Sequence, residues 1–226
     1  HLKNYFFTKH GLPKIANEKI SKVLLRKYLP TNPVIIDCGA HDGSDSIELA
    51  KLFRKACIHS FEPVRNLHER LARNVKEFPN IHIHRIALSD ENGIRRFYIS
   101  EGQSDASSSL LPPASHLIDH PSTLFSAEVM VNTLTLDTWA QTHGITQIDM
   151  LWLDMQGFEM KMLQASQTIL STVSVIHTEV STRETYRGVA LYPELRAFLE
   201  ALGFVVKLEA IPLGWDMGNV LFIKKQ

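Results

Sequence analysis

Cysteine is scarce in this chain, its formal charge is balanced, and no apolar run approaches membrane length. Cys38 and Cys57 are the only cysteines among 226 residues, too few for the disulfide framework that staples small secreted folds. One ends an apolar strand-like run and the other begins the next. On parallel neighbours they would lie several strand rises apart, beyond the ~7 Å Cα limit for a bridge. Two buried, reduced thiols are expected, in keeping with a cytoplasmic protein. Lys+Arg and Asp+Glu both total 24, and no basic block stands out that would neutralise a row of phosphates, which argues against nucleic acid as the main partner. No apolar stretch reaches the ~18 residues of a membrane span, and HLKNYFFTKHG at the start lacks the charged-then-apolar order of a signal peptide. Two nucleotide motifs are also missing: the G-x-G-x-x-G of dinucleotide binders and the G-K-[ST] of phosphate loops.

What is present is an ordinary globular composition, 44% hydrophobic and 21% charged, sufficient for one larger α/β domain. Ile15, Ile20, Val23, Leu24 and Tyr28 recur at helical spacing, so a helix is expected over 14–28 within an N-terminal cap at 1–33. From 34 onward, strand and helix patterns alternate. VIIDCG (34–39) is a β-branched run of the kind buried on both faces. A helix follows over 45–55, then the strand CIHSFEP (57–63), a helix marked by Leu67, Leu71 and Val75, and the strand IHIHRIAL (81–88). This order predicts a parallel sheet with right-handed crossovers.

The rhythm breaks after 88. SDENGIRRFYIS (89–100) predicts a turn and an extra strand, and 101–128 is a Ser/Pro-rich insertion of lid-like length. The alternation resumes with a strand and short helix over 129–144, capped by Thr135, and the strand IDMLWLD (148–154). A helix over 158–170, a strand over 173–180 and a helix over 192–202 follow. The last two strands, 204–211 and 219–225, are joined too closely for a crossover and should be antiparallel. The fold class expected is α/β, a Rossmann-like three-layer αβα sandwich.

In such sheets ligands bind beyond the carboxyl ends of the strands. The first strand ends in Asp37-Cys38-Gly39-Ala40-His41-Asp42-Gly43, whose small residues let the backbone approach a ligand. The second ends in Glu62-Pro63, where an acid is placed to hydrogen-bond a ribose. Asp42 stands where a diphosphate would be repelled, which counts against an NAD-dependent oxidoreductase. Acids at 37 and 42 suit a cationic adenosine ligand with an ammonium tail, as in S-adenosylmethionine.

The motifs VIIDCGAHDG (34–43), SFEP (60–63), IALSDENG (86–93), SSSL (107–110), TLDTW (135–139), IDMLWLDMQGFEMKMLQAS (148–166) and NVLFIKK (219–225) together resemble the FkbM family of class I S-adenosylmethionine-dependent methyltransferases. The resemblance implies a seven-stranded sheet with an antiparallel last strand, and O-methylation of a hydroxyl on a saccharide or small natural product. It implies that Gly39, Ala40 and Gly43 line the methionine part, Glu62 the ribose, and Ala87, Leu88 and Asp90 the adenine. His41, Pro63, Asp37 and Asp154 complete the expected cofactor set. The family's usual D-x-E-G appears here as D-M-Q-G, and Gln156 in place of the acid also motivates a non-catalytic binding module as an alternative.

Asp154 and Glu179 end neighbouring strands, and a carboxylate there can take the proton of an acceptor hydroxyl during transfer. Asp154 is the first candidate base and Glu179 the second; contact with the cofactor or a helix cap is an equally open reading of Asp154. His177 shares a strand face with Glu179, but the spacing matches no metal motif and no metal is expected. Gln156, Ser108, His116 and Trp215 are the acceptor-side candidates, Trp215 as a sugar-stacking platform.

Overall fold

A computed structural model describes residues 5–7, 13–15 and 20–225. Its main sheet has nine strands: β1 (Tyr5–Phe7), β2 (Pro13–Ile15), β3 (Val34–Cys38), β4 (Cys57–Phe61), β5 (Ile81–His84), and, after three strands placed elsewhere, β9 (Met150–Leu153), β10 (Val175–Ser181), β11 (Phe204–Ala210) and β12 (Met217–Lys224). The spatial order is β1-β2-β11-β12-β10-β9-β3-β4-β5. From β5 to β11 this is the expected seven-stranded sheet, parallel except that β12 runs antiparallel to both β10 and β11. Beyond it, β2 pairs in parallel with β11, and β1 pairs antiparallel with β2.

Both faces are covered, as the continuous apolar strands require: Ile35 and Ile36, which point to opposite faces, are both fully buried. One face carries α4 (Leu136–Thr142), α5 (Glu159–Gln164), α6 (Gln167–Leu170) and α7 (Tyr192–Ala201); the other carries a 3-10 helix at Lys22–Lys27 and α1 (Ser44–Leu52), with α2 (Arg65–Asn74) over the edge near β5. The remaining short helix, α3 (His116–Asp119), lies in the insertion. Thr135 caps α4 as expected, its Oγ1 accepting from the Thr138 amide at 3.1 Å.

Four expectations need correction. The helix expected over 14–28 is instead the strand β2 and the 3-10 turn, with 16–19 outside the described residues. The strand expected over 81–88 divides: β5 stays in the main sheet, while β6 (Ala87–Leu88) turns away to pair with β8 (Thr123–Leu134) in a second sheet. The lid-like insertion at 101–128 is in part regular structure, since β7 (Gly93–Gly102) and β8 form a long antiparallel hairpin with residues 103–122 at its tip. The helix expected over 158–170 is broken at Ser166, whose hydroxyl leaves the helix to accept from the Leu136 amide at 3.0 Å. Both cysteines are free, Cys38 buried and Cys57 only half-buried.

Candidate active site

A narrow cavity opens at the carboxyl ends of β3, β4 and β9, where the parallel topology concentrates unpaired strand ends. Its inner part is apolar, walled by Phe61, Leu67, Ala87, Leu88 and Phe97, and its polar groups are few. The split of 81–88 explains the wall: turning away from β5 carries Ala87 and Leu88 over the cavity.

Gly39 makes the close approach possible. Its φ is +82°, and a Cβ added there would fall 1.9 Å from the Asp154 carbonyl oxygen. Next to it, Glu62 is buried, and its two oxygens accept from the backbone N–H groups of Val64 (2.8 Å) and His41 (3.2 Å). Burial pushes its carboxyl up to about 7, against the opposing pull of those two hydrogen bonds.

Across the mouth, Asp105 reaches back from the hairpin tip. Its Oδ2 accepts from Arg70 Nη2 of α2 at 2.8 Å, and its Oδ1 lies 2.8 Å from His41 Nε2. This latch ties three separate chain segments together over the opening. Asp105→Ala should weaken binding of S-adenosylhomocysteine about two- to fivefold, the loss expected of one half-exposed ion pair; calorimetric affinity equal to the parent's would remove the latch from the site.

At the far end of the cavity four polar side chains interlock. Gln156 Nε2 donates to Asp154 Oδ1 (2.7 Å) and to Glu179 Oε2 (2.8 Å), while its Oε1 lies 2.8 Å from the Tyr186 hydroxyl. The donor end of the amide thus faces two carboxylates and the acceptor end faces a hydroxyl, the one orientation in which all contacts are favourable. Gln156 has φ +52°, held there by Ser109 Oγ, which donates to its carbonyl at 2.8 Å. Asp154 faces the open cavity, yet the protein packed around it withdraws enough water to displace its carboxyl upward from the ordinary range, a shift that the Gln156 hydrogen bond partly offsets.

Gln156→Glu would set a third carboxylate between two others and remove both donors. The apparent pKa of the cluster should rise, because like charges crowd together, moving the acid limb of the rate profile upward. An unchanged limb would mean that Asp154 and Glu179 do not depend on the amide.

The expected site residues therefore separate. Gly39, His41, Glu62, Pro63, Ala87, Leu88, Asp154, Gln156 and Ser108 lie on the wall of one cavity. Asp37 is not on that wall: it is buried behind the turn, accepting from Ser46 Oγ, with its carboxyl pushed to about 7 by burial. Ala40 and Gly43 also stand behind it, Gly43 against Leu71 and Val75. Asp90 pairs with Arg95 outside it. His116 is buried against His120, Phe125 and Tyr186, and Trp215 lies in a separate cavity with Glu179. Arg70, Asp105 and Tyr186 were not anticipated, because each is brought in by tertiary folding from a segment with no motif of its own. Among the described residues no group of three or more His, Cys, Asp or Glu side chains is arranged to hold a metal ion.

The model of the methyltransferase FkbM domain matches residues 37–206. The chain belongs to the FkbM methyltransferase family. It is 31% identical over 208 residues to the 2-O-methyltransferase NoeI of Sinorhizobium fredii, covering 90% of this chain and 84% of that protein. The fold is shared with magnesium protoporphyrin IX methyltransferase from Synechocystis, solved with bound S-adenosylmethionine (12% identity, TM-score 0.53, 90% of this chain and 74% of that one). It is shared equally with Methanococcus jannaschii fibrillarin (12% identity, TM-score 0.55, 91% and 70%).

Membership makes this an S-adenosylmethionine-dependent methyltransferase, in agreement with the O-methyltransferase expected from the sequence, and sets aside the oxidoreductase alternative. The residues in the wall are of the kinds that cofactor needs: an apolar slot suits an adenine, the Glu62 carboxylate suits a ribose diol, and the close-packed Gly39 turn leaves the backbone free of side-chain bulk. No helix among the described residues is long and apolar enough to cross a membrane.

Proposed function

We propose that this FkbM enzyme methylates a hydroxyl oxygen of a saccharide, with Asp154 as the group that takes the hydroxyl proton. One observation carries the reading: Asp154 stands in the wall of two cavities, the apolar one beside Glu62 and a larger polar one between the 3-10 helix, α1 and β10. A carboxylate shared between a cofactor space and an acceptor space is where proton and methyl must cross.

In this reading Glu62 accepts from the ribose hydroxyls, Ala87 and Leu88 pack the adenine, and Gly39, His41 and Pro63 line the remainder. Asp37, Ala40 and Gly43 support the turn from behind. S-adenosylmethionine, when bound, supplies a methyl carbon activated by a sulfonium. Gln156 occupies Asp154 Oδ1, which leaves Oδ2 to receive the proton as the oxygen–carbon bond forms and the carbon–sulfur bond breaks. Glu179, on the other arm of Gln156, balances the amide and stands as the second acid of the pair. Gln156 is thus a clamp on both acids, which supports a working site over a decayed one.

The test is methyl transfer from isotopically labelled S-adenosylmethionine to a panel of neutral methyl glycosides, read by mass spectrometry. Label on a sugar hydroxyl is expected. Label found only on nitrogen acceptors, or on none of the panel, would sink the assignment.

A further inference from the structure

Resting on the saccharide reading, we propose that the acceptor is an uncharged glycan of at least two units, lying in one continuous trough. The unit being methylated sits against Asp154, His177 and Asn219, and its neighbour stacks on Trp215. The larger polar cavity has a volume of about 580 Å³, within the roughly 300–1,000 Å³ of a typical small-ligand site and room for the ring that receives the methyl. A further cavity of about 270 Å³, walled by Glu179 and Trp215, shares one wall residue with it. Asn219 belongs to the walls of both, directly across the sheet register from Glu179, with Asp154 lining one space and Glu179 the other; this shared wall is the basis for reading them as one trough.

The chemistry of the walls selects the class of occupant. Lys22, the one cation lining the larger cavity among the described residues, is already paired with Asp45 and with Glu48 (2.6 Å). With its charge spent, and with Asp154 and Glu179 facing the same trough, a phosphorylated or otherwise anionic sugar is repelled, whereas hydroxyls find both donors and acceptors. His177 is buried in the wall, stacked on Trp152 at 3.6 Å between ring centroids, and its Nδ1 has no hydrogen-bond partner among the described residues. An unpartnered buried nitrogen costs free energy until a group supplies its bond, and an acceptor hydroxyl in this cavity would do so after a ring flip or small shift.

Trp215 is 54% exposed, yet its loop is pinned: Thr182 Oγ1 donates to the Trp215 carbonyl at 3.0 Å and Arg183 pairs with Asp216. A large aromatic surface held on a fixed loop at the end of a polar trough suits the apolar face of a second sugar ring.

Protein saturated with S-adenosylhomocysteine is titrated with neutral methyl glycosides, their di- and trisaccharides, and the monosaccharide 6-phosphates; the same glycans are then assayed as acceptors. The trisaccharides should show at least tenfold lower Kd and KM than the monosaccharides, and the 6-phosphates should bind more weakly than either. Trp215→Ala should erase the gain with length, leaving monosaccharide KM and S-adenosylhomocysteine affinity unchanged. His177→Phe, which keeps the ring on Trp152, should raise KM about tenfold for short and long acceptors alike, with no loss of thermal stability. Acceptors methylated without any effect of length, or a length effect that survives Trp215→Ala, would overturn the trough while leaving the saccharide reading intact. Tighter binding of the 6-phosphates would overturn the uncharged class. Failure of every glycan to bind or accept methyl would overturn both.

Discussion

Asp154→Asn is expected to lower kcat/KM by about 10²–10⁴, the range for removing a general base, with affinity for S-adenosylhomocysteine within a few-fold of the parent. The amide nearly matches the carboxylate in shape, so the cavity walls keep their form, but it cannot take a proton. The pH profile separates this role from a structural one. Partial desolvation in the crevice raises the Asp154 carboxyl above its ordinary value and Gln156 restrains the rise. The base works deprotonated, so kcat/KM should climb through an acid limb lying above the usual carboxylate range, and that limb should vanish in the variant. Stability runs the other way. A carboxyl whose pKa is raised by folding contributes fully below its unfolded value and loses that contribution as pH climbs through the folded one. At neutral pH the Asn variant should therefore melt no lower than the parent. A retained acid limb with full turnover would move the base to Glu179 or elsewhere.

Gly39→Ala carries the largest expected cost in stability. The added Cβ would lie 1.9 Å from the Asp154 carbonyl oxygen, which is backbone and cannot rotate away. The residue would also hold φ +82°, a conformation costing a side chain about 1–3 kcal/mol before any clash. Relief requires β3 and β9 to separate at the cavity, where Asp154 N–H donates to the Cys38 carbonyl at 3.0 Å. A loss above about 4 kcal/mol is expected by denaturant titration, in the range reserved for severe backbone or packing defects. Gly144 supplies the control. Its φ is +66° but nothing lies within 4 Å of an added Cβ, so Gly144→Ala should cost only about 1 kcal/mol. Equal costs at both positions would show that strain, rather than the seam between β3 and β9, decides the outcome.

These two residues also show what was legible in the sequence. Gly39, Glu62 and Asp154 could be found because each ends or follows an apolar run, and parallel topology sends such ends to one crevice. The antiparallel last strand followed from a connection too short for a helix. Other features depend on neighbours distant in sequence. Nothing in IHIHRIAL marks the point where Ala87 leaves β5 for β8, since both partners want the same apolar pattern. Asp37 and Asp154 look alike as strand-ending acids, yet Ser46 hides the first behind the turn while Gln156 holds the second at the cavity. Gln156 itself read as a lost carboxylate; its value as a double donor emerges only once Glu179 and Tyr186 are beside it. The latch of Arg70, His41 and Asp105 joins three segments whose spacing follows no motif.

The most direct measurement is a crystal structure of the protein with S-adenosylhomocysteine. The expected result places the ribose hydroxyls on Glu62, the adenine between Ala87 and Phe61, and the sulfur facing Asp154 toward the polar cavity. A nucleoside bound away from Glu62, or a sulfur turned from Asp154, would contradict the assignment of cofactor space, acceptor space and base together.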